Sequence, residues 1–403
     1  MHRHLLLALL LICGARGTAQ WNQVTSNTTH ELYGVHFPDD ETGYAVGAAG
    51  TVIKSTDRGF VWSTLTFPST GDLQSVWFLT ASEGFVAGDS GIFHTDNGGN
   101  TWAPVSTPVI LPWRHIRFIS TLIGFCGGGN FGDGAILRTQ DGGDTWAVVY
   151  SGDPQPISAI DFPTPSVGYA VVMGYSWSVL KTTDGGDTWN TVGIQPIVNQ
   201  STFEAVHFID ENTGFLGGWY IAAFIRTDDG AVSWYDLSNG QFYHLYDLAF
   251  ASATQALAVG WYGSIHHMYN GADWVDESWT GSNTVFYAAD MLDDTTAIVV
   301  GSSGTLLRWA AGSTGVNIVV SPSATITLHP SPATDWIMLD AAAPLPVNAR
   351  FELRDATGRL VKSAPARANI RIGMTDISEG TYLWRCVGPV GAIASGTVVV
   401  GSR

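Results

Sequence analysis

From Trp21 onward, short apolar runs alternate with polar turns, and no helical 3.6-residue periodicity follows the first twenty residues. The runs share an order. An apolar-x-x-apolar-x-Phe stretch comes first, then a polar turn, then Gly-aromatic-x-apolar-Gly. A loop, a short third run, an Asp-Gly turn and a Trp complete the unit. Its clearest copies contain Thr139…Asp141-Gly142-Gly143-Asp144-Thr145-Trp146 and Thr182-Thr183-Asp184-Gly185-Gly186-Asp187-Thr188-Trp189. Copies start at residues 32, 73, 113, 157, 203, 245 and 286, a period of 40 to 46.

Four short strands in each such period predict a propeller blade, because one blade cannot bury both faces and must stack on neighbours around an axis. The seventh copy has three strands. The missing fourth is Trp21-Asn22-Gln23-Val24, which matches Trp189-Asn190-Thr191-Val192. Pairing of the two chain ends would close the ring and remove an open edge. The expected fold is all-β: a seven-bladed propeller over residues 20–312, a linker over 313–324, and a small antiparallel β-sandwich over 325–403.

In the Asp-Gly turn the carboxylates of Asp57, Asp141, Asp184 and Asp229 are expected to accept N–H groups of their own turn. Gly143 and Gly186 would supply backbone angles closed to other residues. The Trp would fill space beside the next blade. Ser/Thr-x-Asp-x-Gly-x-Thr-Trp resembles the Asp-box, or BNR repeat. Copy one has Val61 for Thr, copy two Asn97 for Asp and copy five Ala231 for Gly; the turn is largely lost in copy six, and copy seven ends on Trp309.

Asp-boxes occur in sialidases, whose chemistry needs an arginine cluster and a Tyr–Glu pair. The six propeller arginines (Arg58, Arg114, Arg117, Arg138, Arg226, Arg308) stand in no Arg-Ile-Pro context. The full module, over residues 21–309, is more similar to the photosystem II assembly/stability factor propellers. That resemblance implies the fold and leaves the ligand open.

The chain ends carry an address. Met1–Ala19 has early basic residues, an apolar run Leu5–Cys13 and a small-x-small site before Gln20, the pattern of a signal peptide. No other long apolar stretch follows, so the mature chain is expected to lack a transmembrane segment. Thr327-Leu328-His329-Pro330-Ser331-Pro332-Ala333-Thr334-Asp335-Trp336-Ile337 resembles the opening of a type A C-terminal sorting domain of the type IX secretion system, with Ser331 in place of the usual Asn. By that resemblance residues 325–403 engage the secretion machinery, and the protein is released or held at the outer-membrane surface.

Charge supports the boundary. Between Gln20 and Thr314 there are 8 Lys/Arg against 29 Asp/Glu; from Thr325 onward, 8 against 6. So acidic a propeller excludes nucleic acid as partner. Cys126 and Cys386 are expected as buried free thiols.

No cofactor or metal is implied. His266-His267 point to opposite faces of a strand, and Gly127–Gly132 is a long turn without the Lys of a phosphate loop. One residue before each Phe, the copies carry His36, Trp77, Arg117, Asp161, His207, Ala249 and Asp290. This predicts a polar girdle around the axis with an Arg117–Asp161 pair. Between the second and third strands, copies four to six carry Tyr175 with Trp177, Trp219-Tyr220 and Trp261-Tyr262. An aromatic sector there, opposite the Asp-boxes, would suit a glycan or peptide. The function expected is a non-enzymatic binding scaffold. The alternatives are a glycan-active hydrolase, for which no spacing selects a pair among acids such as Asp89, Asp133 and Asp247, and an assembly factor of the photosystem II type.

Overall fold

The computed structural model describes residues 21–174, 178–193, 202–219, 224–238, 244–279, 283–310, 326–329, 335–341, 350–354, 360–367, 370–388 and 391–400. The chain forms two compact units, one of them Trp21–Ala311. Among the described residues no helix is long and apolar enough to cross a membrane.

Trp21–Ala311 holds seven four-stranded antiparallel sheets, one per repeat. The first strand of each sheet abuts the first strand of the next, and that of the seventh returns to the first. The seventh blade runs Phe286–Asp293, Thr296–Gly301, Leu306–Ala310, Trp21–Gln23, with Trp21 opposite Trp309 and Gln23 opposite Leu307. The ring therefore closes as the repeat predicts. Trp309 does not take the place of the box Trp, however. It lies on the third strand, where copies one to five carry the box Ser or Thr and copy six Met268, and Trp21 fills the Trp position. Here the third and fourth strands come from opposite chain ends, so no hairpin exists for a box to tighten.

The Phe and Gly halves of the repeat belong together. Phe78 ends the first strand of blade 2 and covers Gly84, which opens the second; a Cβ on Gly84 would lie 2.4 Å from that ring. The box Trp also departs from expectation. It packs on the preceding blade: Trp189 clusters with Phe125 and Ile136 of blade 3, and Trp146 with Phe85 of blade 2. Each Gly-aromatic strand thus supplies the floor for the following blade's hairpin.

Within the boxes, Asp184 Oδ1 accepts Thr188 N–H (2.9 Å) and Thr182 Oγ1–H (2.7 Å), while Thr182 Oγ1 accepts Gly186 N–H (2.9 Å). Asp141 and Asp229 repeat the pattern, and Asn97 Oδ1 accepts Thr101 N–H at 3.0 Å. Asp57 accepts Val61 N–H at 2.8 Å, so a hydroxyl at that position is dispensable. Gly143 and Gly186 have φ of 98° and 84°.

Among its described residues the C-terminal unit contains two antiparallel sheets. One pairs Ile326–His329, Trp336–Ala341 and Ile370–Gly373. The other orders Leu360–Pro365, Arg350–Arg354, Gly380–Gly388 and Gly391–Val400. Ile337, Leu339, Ile372, Phe351, Leu353, Trp384 and Val398 form the core between them. Cys126 and Cys386 are buried and free.

Candidate functional site

The residue after the first apolar position of every repeat is bulged out of register on the innermost strand: Tyr33, Gln74, Arg114, Ser158, Glu204, Tyr246 and Tyr287. A bulge leaves its residue unpaired and re-aims the side chain. All seven line one central channel of about 520 Å³. They sit where the innermost strands begin, at the rim opposite the Asp-boxes. Strict two-residue alternation cannot reveal such a ring, yet its signal was present in Leu32-Tyr33, Leu245-Tyr246 and Phe286-Tyr287 of three aligned copies.

Tyrosines of three consecutive blades, 6, 7 and 1, stand together. Tyr246 meets Tyr287 edge-to-face at 5.1 Å, and Tyr287 meets Tyr33 at 5.1 Å. Burial and nearby carboxylates raise their hydroxyl pKa values, that of Tyr246 to about 12, so all three are neutral at physiological pH. Tyr33 donates to Glu31 Oε2 at 3.1 Å. The strip continues outward: Tyr246 stacks on His244, Trp261 Nε1 donates to Tyr246 Oη (2.9 Å), and Trp219 stacks on His244. His244 Nε2 lies 3.2 Å from Glu204 Oε1.

Of the predicted aromatic sector, Trp219 and Trp261 thus join one strip with the tyrosines, and Tyr262 contacts Trp261. Trp261 and Tyr262 are 38% and 58% exposed. Tyr262 has φ of 57°, a left-handed conformation that the equivalent Ala49 and Ser303 share and that is uncommon for a bulky side chain. Tyr175, Trp177 and Tyr220 lie outside the described residues, as do residues 1–19 and 313–324.

Deeper in the channel the girdle is present, and its members join blades more than they face solvent. Arg117 pairs with Asp161 at 2.9 Å. Asp161 Oδ2 accepts Phe208 N–H, Asp290 Oδ2 accepts Phe37 N–H (both 2.6 Å) and His36 Nδ1 accepts Phe78 N–H (3.1 Å), each from the next blade. Asp247 Oδ2 likewise accepts Ala289 N–H at 2.9 Å. Burial raises Asp247 to about 6, and burial with the neighbouring Asp247 charge raises Asp290 to about 7. Burial opposes ionisation of Asp161 too, but Arg117 and His207 outweigh it and hold its pKa below the ordinary value. Burial and the Arg117 charge lower His36 to about 3 and His115 to about 4.

These carboxylates face backbone amides across seams, and the arginines are dispersed. Arg58 pairs with Asp293, Arg226 with Asp228, and Arg138 with Asp187. Arg308 bonds the carbonyl of Arg58. Among the described residues no group of three or more potential metal ligands converges. His267 packs instead with Glu277, Tyr269 and Trp309.

This propeller has known counterparts. Residues 14–155 match the sequence profile of the family described as photosynthesis system II assembly factor YCF48. Among solved structures, one described as YCF48 bound to D1 peptide is 21% identical with a TM-score of 0.61, covering 72% of this chain and 96% of the other. YCF48 from Cyanidioschyzon merolae is 18% identical with a TM-score of 0.60, covering 72% and 98%. The WD40 propeller domain of Doa1, 12% identical, gives 0.56 over 72% and 96%. At such identities the likeness establishes the fold. No curated protein sequence matches the chain.

Proposed function

We propose that the propeller is a non-enzymatic binding scaffold that holds an extended polypeptide segment across its channel mouth. The observation that carries this reading is the bulge common to all seven blades, which brings Tyr33, Tyr246 and Tyr287 into the mouth beside the Trp219–His244–Trp261 strip. Rigid aromatic rings with polar edges give large contact area at low entropic cost. The left-handed backbone at Tyr262 is a cost that a contact role would explain. A similar YCF48 propeller has been solved with a D1 peptide, which supports a polypeptide ligand for this fold. Engagement of Asp161, Asp247 and Asp290 by backbone amides argues against hydrolysis.

The test is a peptide array and a hydrolysis assay on the full chain. Wild type is expected to bind a subset of peptides without cleaving them, and a Trp219→Ala/Trp261→Ala variant to lose that binding with its circular dichroism intact. Unchanged binding in the variant would remove the site.

In the same reading, residues 1–19 are a signal peptide and residues 325–403 a sorting domain that delivers the propeller to the outer-membrane surface or beyond. The support is the Met1–Ala19 pattern and the Thr327–Ile337 stretch with the alternating strand Trp336–Ala341. Deletion of residues 325–403 should strand the propeller in the periplasm; normal export of the truncated protein rules the assignment out.

A further inference from the structure

We propose that the tyrosine sector of the mouth seats a cationic side chain, lysine or arginine, of the bound segment, with Glu31 and Glu204 as its counter-charges. This rests on the polypeptide reading above and adds the chemistry of the ligand.

Three observations carry it. First, Tyr33, Tyr287 and Tyr246 meet at interplanar angles of 71° and 61° and line the channel, so their arrangement is edge-to-face instead of a closed stack. The face of an aromatic ring carries the negative lobe of its quadrupole and attracts a cation within about 6 Å of the centroid. Second, the sector is bordered by carboxylates that no lysine or arginine neutralises among the described residues. Glu31 is held by the Tyr33 hydroxyl, and Glu204 by a ring nitrogen of His244. The charge of Glu31 reaches both Tyr33 and Tyr287, and that of Glu204 reaches Tyr246.

Third, the protein spends its own cations elsewhere. Lys54, Arg138, Lys181 and Arg226 already cover Tyr44, Phe125, Tyr169 and Phe215 on the second strands. Of the seven bulged residues, the one cation is Arg114, on blade 3, across the ring from blades 6, 7 and 1. The mouth is thus polarised: among the described residues its anionic, aromatic side holds the His244 ring but no lysine or arginine. The acidic balance of the propeller adds long-range attraction for a basic segment.

The experiment uses the full chain and dodecapeptide mixtures with random flanks and a fixed central residue, either lysine, norleucine or glutamate. Binding is read by fluorescence anisotropy. The lysine set should bind about tenfold more tightly than the norleucine set, as expected for one partly desolvated cation–π site with counter-charges, and the gap should narrow with added salt. Tyr287→Phe, which keeps the ring, should retain the preference; Tyr287→Leu should lose it. Glu31→Gln should weaken lysine binding several-fold and leave norleucine binding unchanged, and it decides the matter should Tyr287→Leu fail to fold. Equal affinity for lysine and norleucine sets, or preference for glutamate, overturns the cation assignment while the polypeptide reading stands. Binding of no set overturns both.

Discussion

The carboxylate of Asp290 in the last blade accepts the backbone N–H of Phe37 in the first, at 2.6 Å. Asp161 makes the same bond to Phe208 between blades 4 and 5, but with Arg117 beside it. The two seams therefore differ in charge. Asp161 stays ionised, whereas Asp290 is raised to about 7. A raised folded-state value means the fold favours the protonated acid: that contribution is complete below the unfolded value near 4 and is lost as pH rises through 7. Asp290→Asn keeps an acceptor and removes the charge. It should stabilise the protein by about 2 kcal/mol at pH 8 and by much less at pH 4, read from urea midpoints. Identical pH slopes for variant and wild type would show that this seam does not titrate.

Gly186 and Ala231 occupy the same box position. A Cβ on Gly186, at φ 84°, would lie 2.4 Å from the Phe125 ring, whereas blade 5 accommodates an alanine at φ 71°. Gly186→Ala should cost about 2–3 kcal/mol, combining left-handed backbone strain with overpacking. Ala231→Gly trades relief of strain against a lost buried methyl and should be near neutral, within about 1 kcal/mol. Thermal melts of both variants decide it; equal losses would mean the aromatic floor does not set the requirement.

Ring closure depends on a substitute for the missing box. Trp21 Nε1 donates to Glu277 Oε2 at 3.1 Å, and Glu277 also accepts from Tyr269 and contacts His267. Glu277→Ala would leave these groups without their acceptor, at about 2 kcal/mol. Trp21→Ala should cost about 3–5 kcal/mol. In both, hydrogen exchange should accelerate first in Leu306–Ala310, the strand that Trp21–Gln23 covers. Uniform acceleration across all blades would argue against a local seam.

Trp261→Ala removes a half-exposed ring. It should change stability by less than about 1 kcal/mol and lower peptide affinity at least several-fold. Loss of fold with loss of binding would make the ring structural.

The blades were legible because each rests on a local rule repeated in register: Phe over Gly, Asp over its own turn, Trp at the hairpin exit. Even the N-terminal strand could be assigned from Trp21-Asn22-Gln23-Val24 alone. Direction across the blade interface was not legible, since Trp189 adjoins neighbours on both sides in principle and only packing selects Phe125. The girdle was found, but its bonds to backbone amides were not, because the partner N–H carries no sequence signature. The mouth was missed in part for a similar reason: a bulge shifts Tyr33 and Tyr287 out of the two-residue period that identifies their strands.

The bulge that recurs in every blade has an evolutionary consequence. Because Tyr33, Gln74, Arg114, Ser158, Glu204, Tyr246 and Tyr287 are unpaired in the ladder, each can be exchanged without disturbing the strand that bears it. Seven positions outside the ladder surround one opening, so a lineage can acquire new ligands by few substitutions while the scaffold drifts under separate constraints.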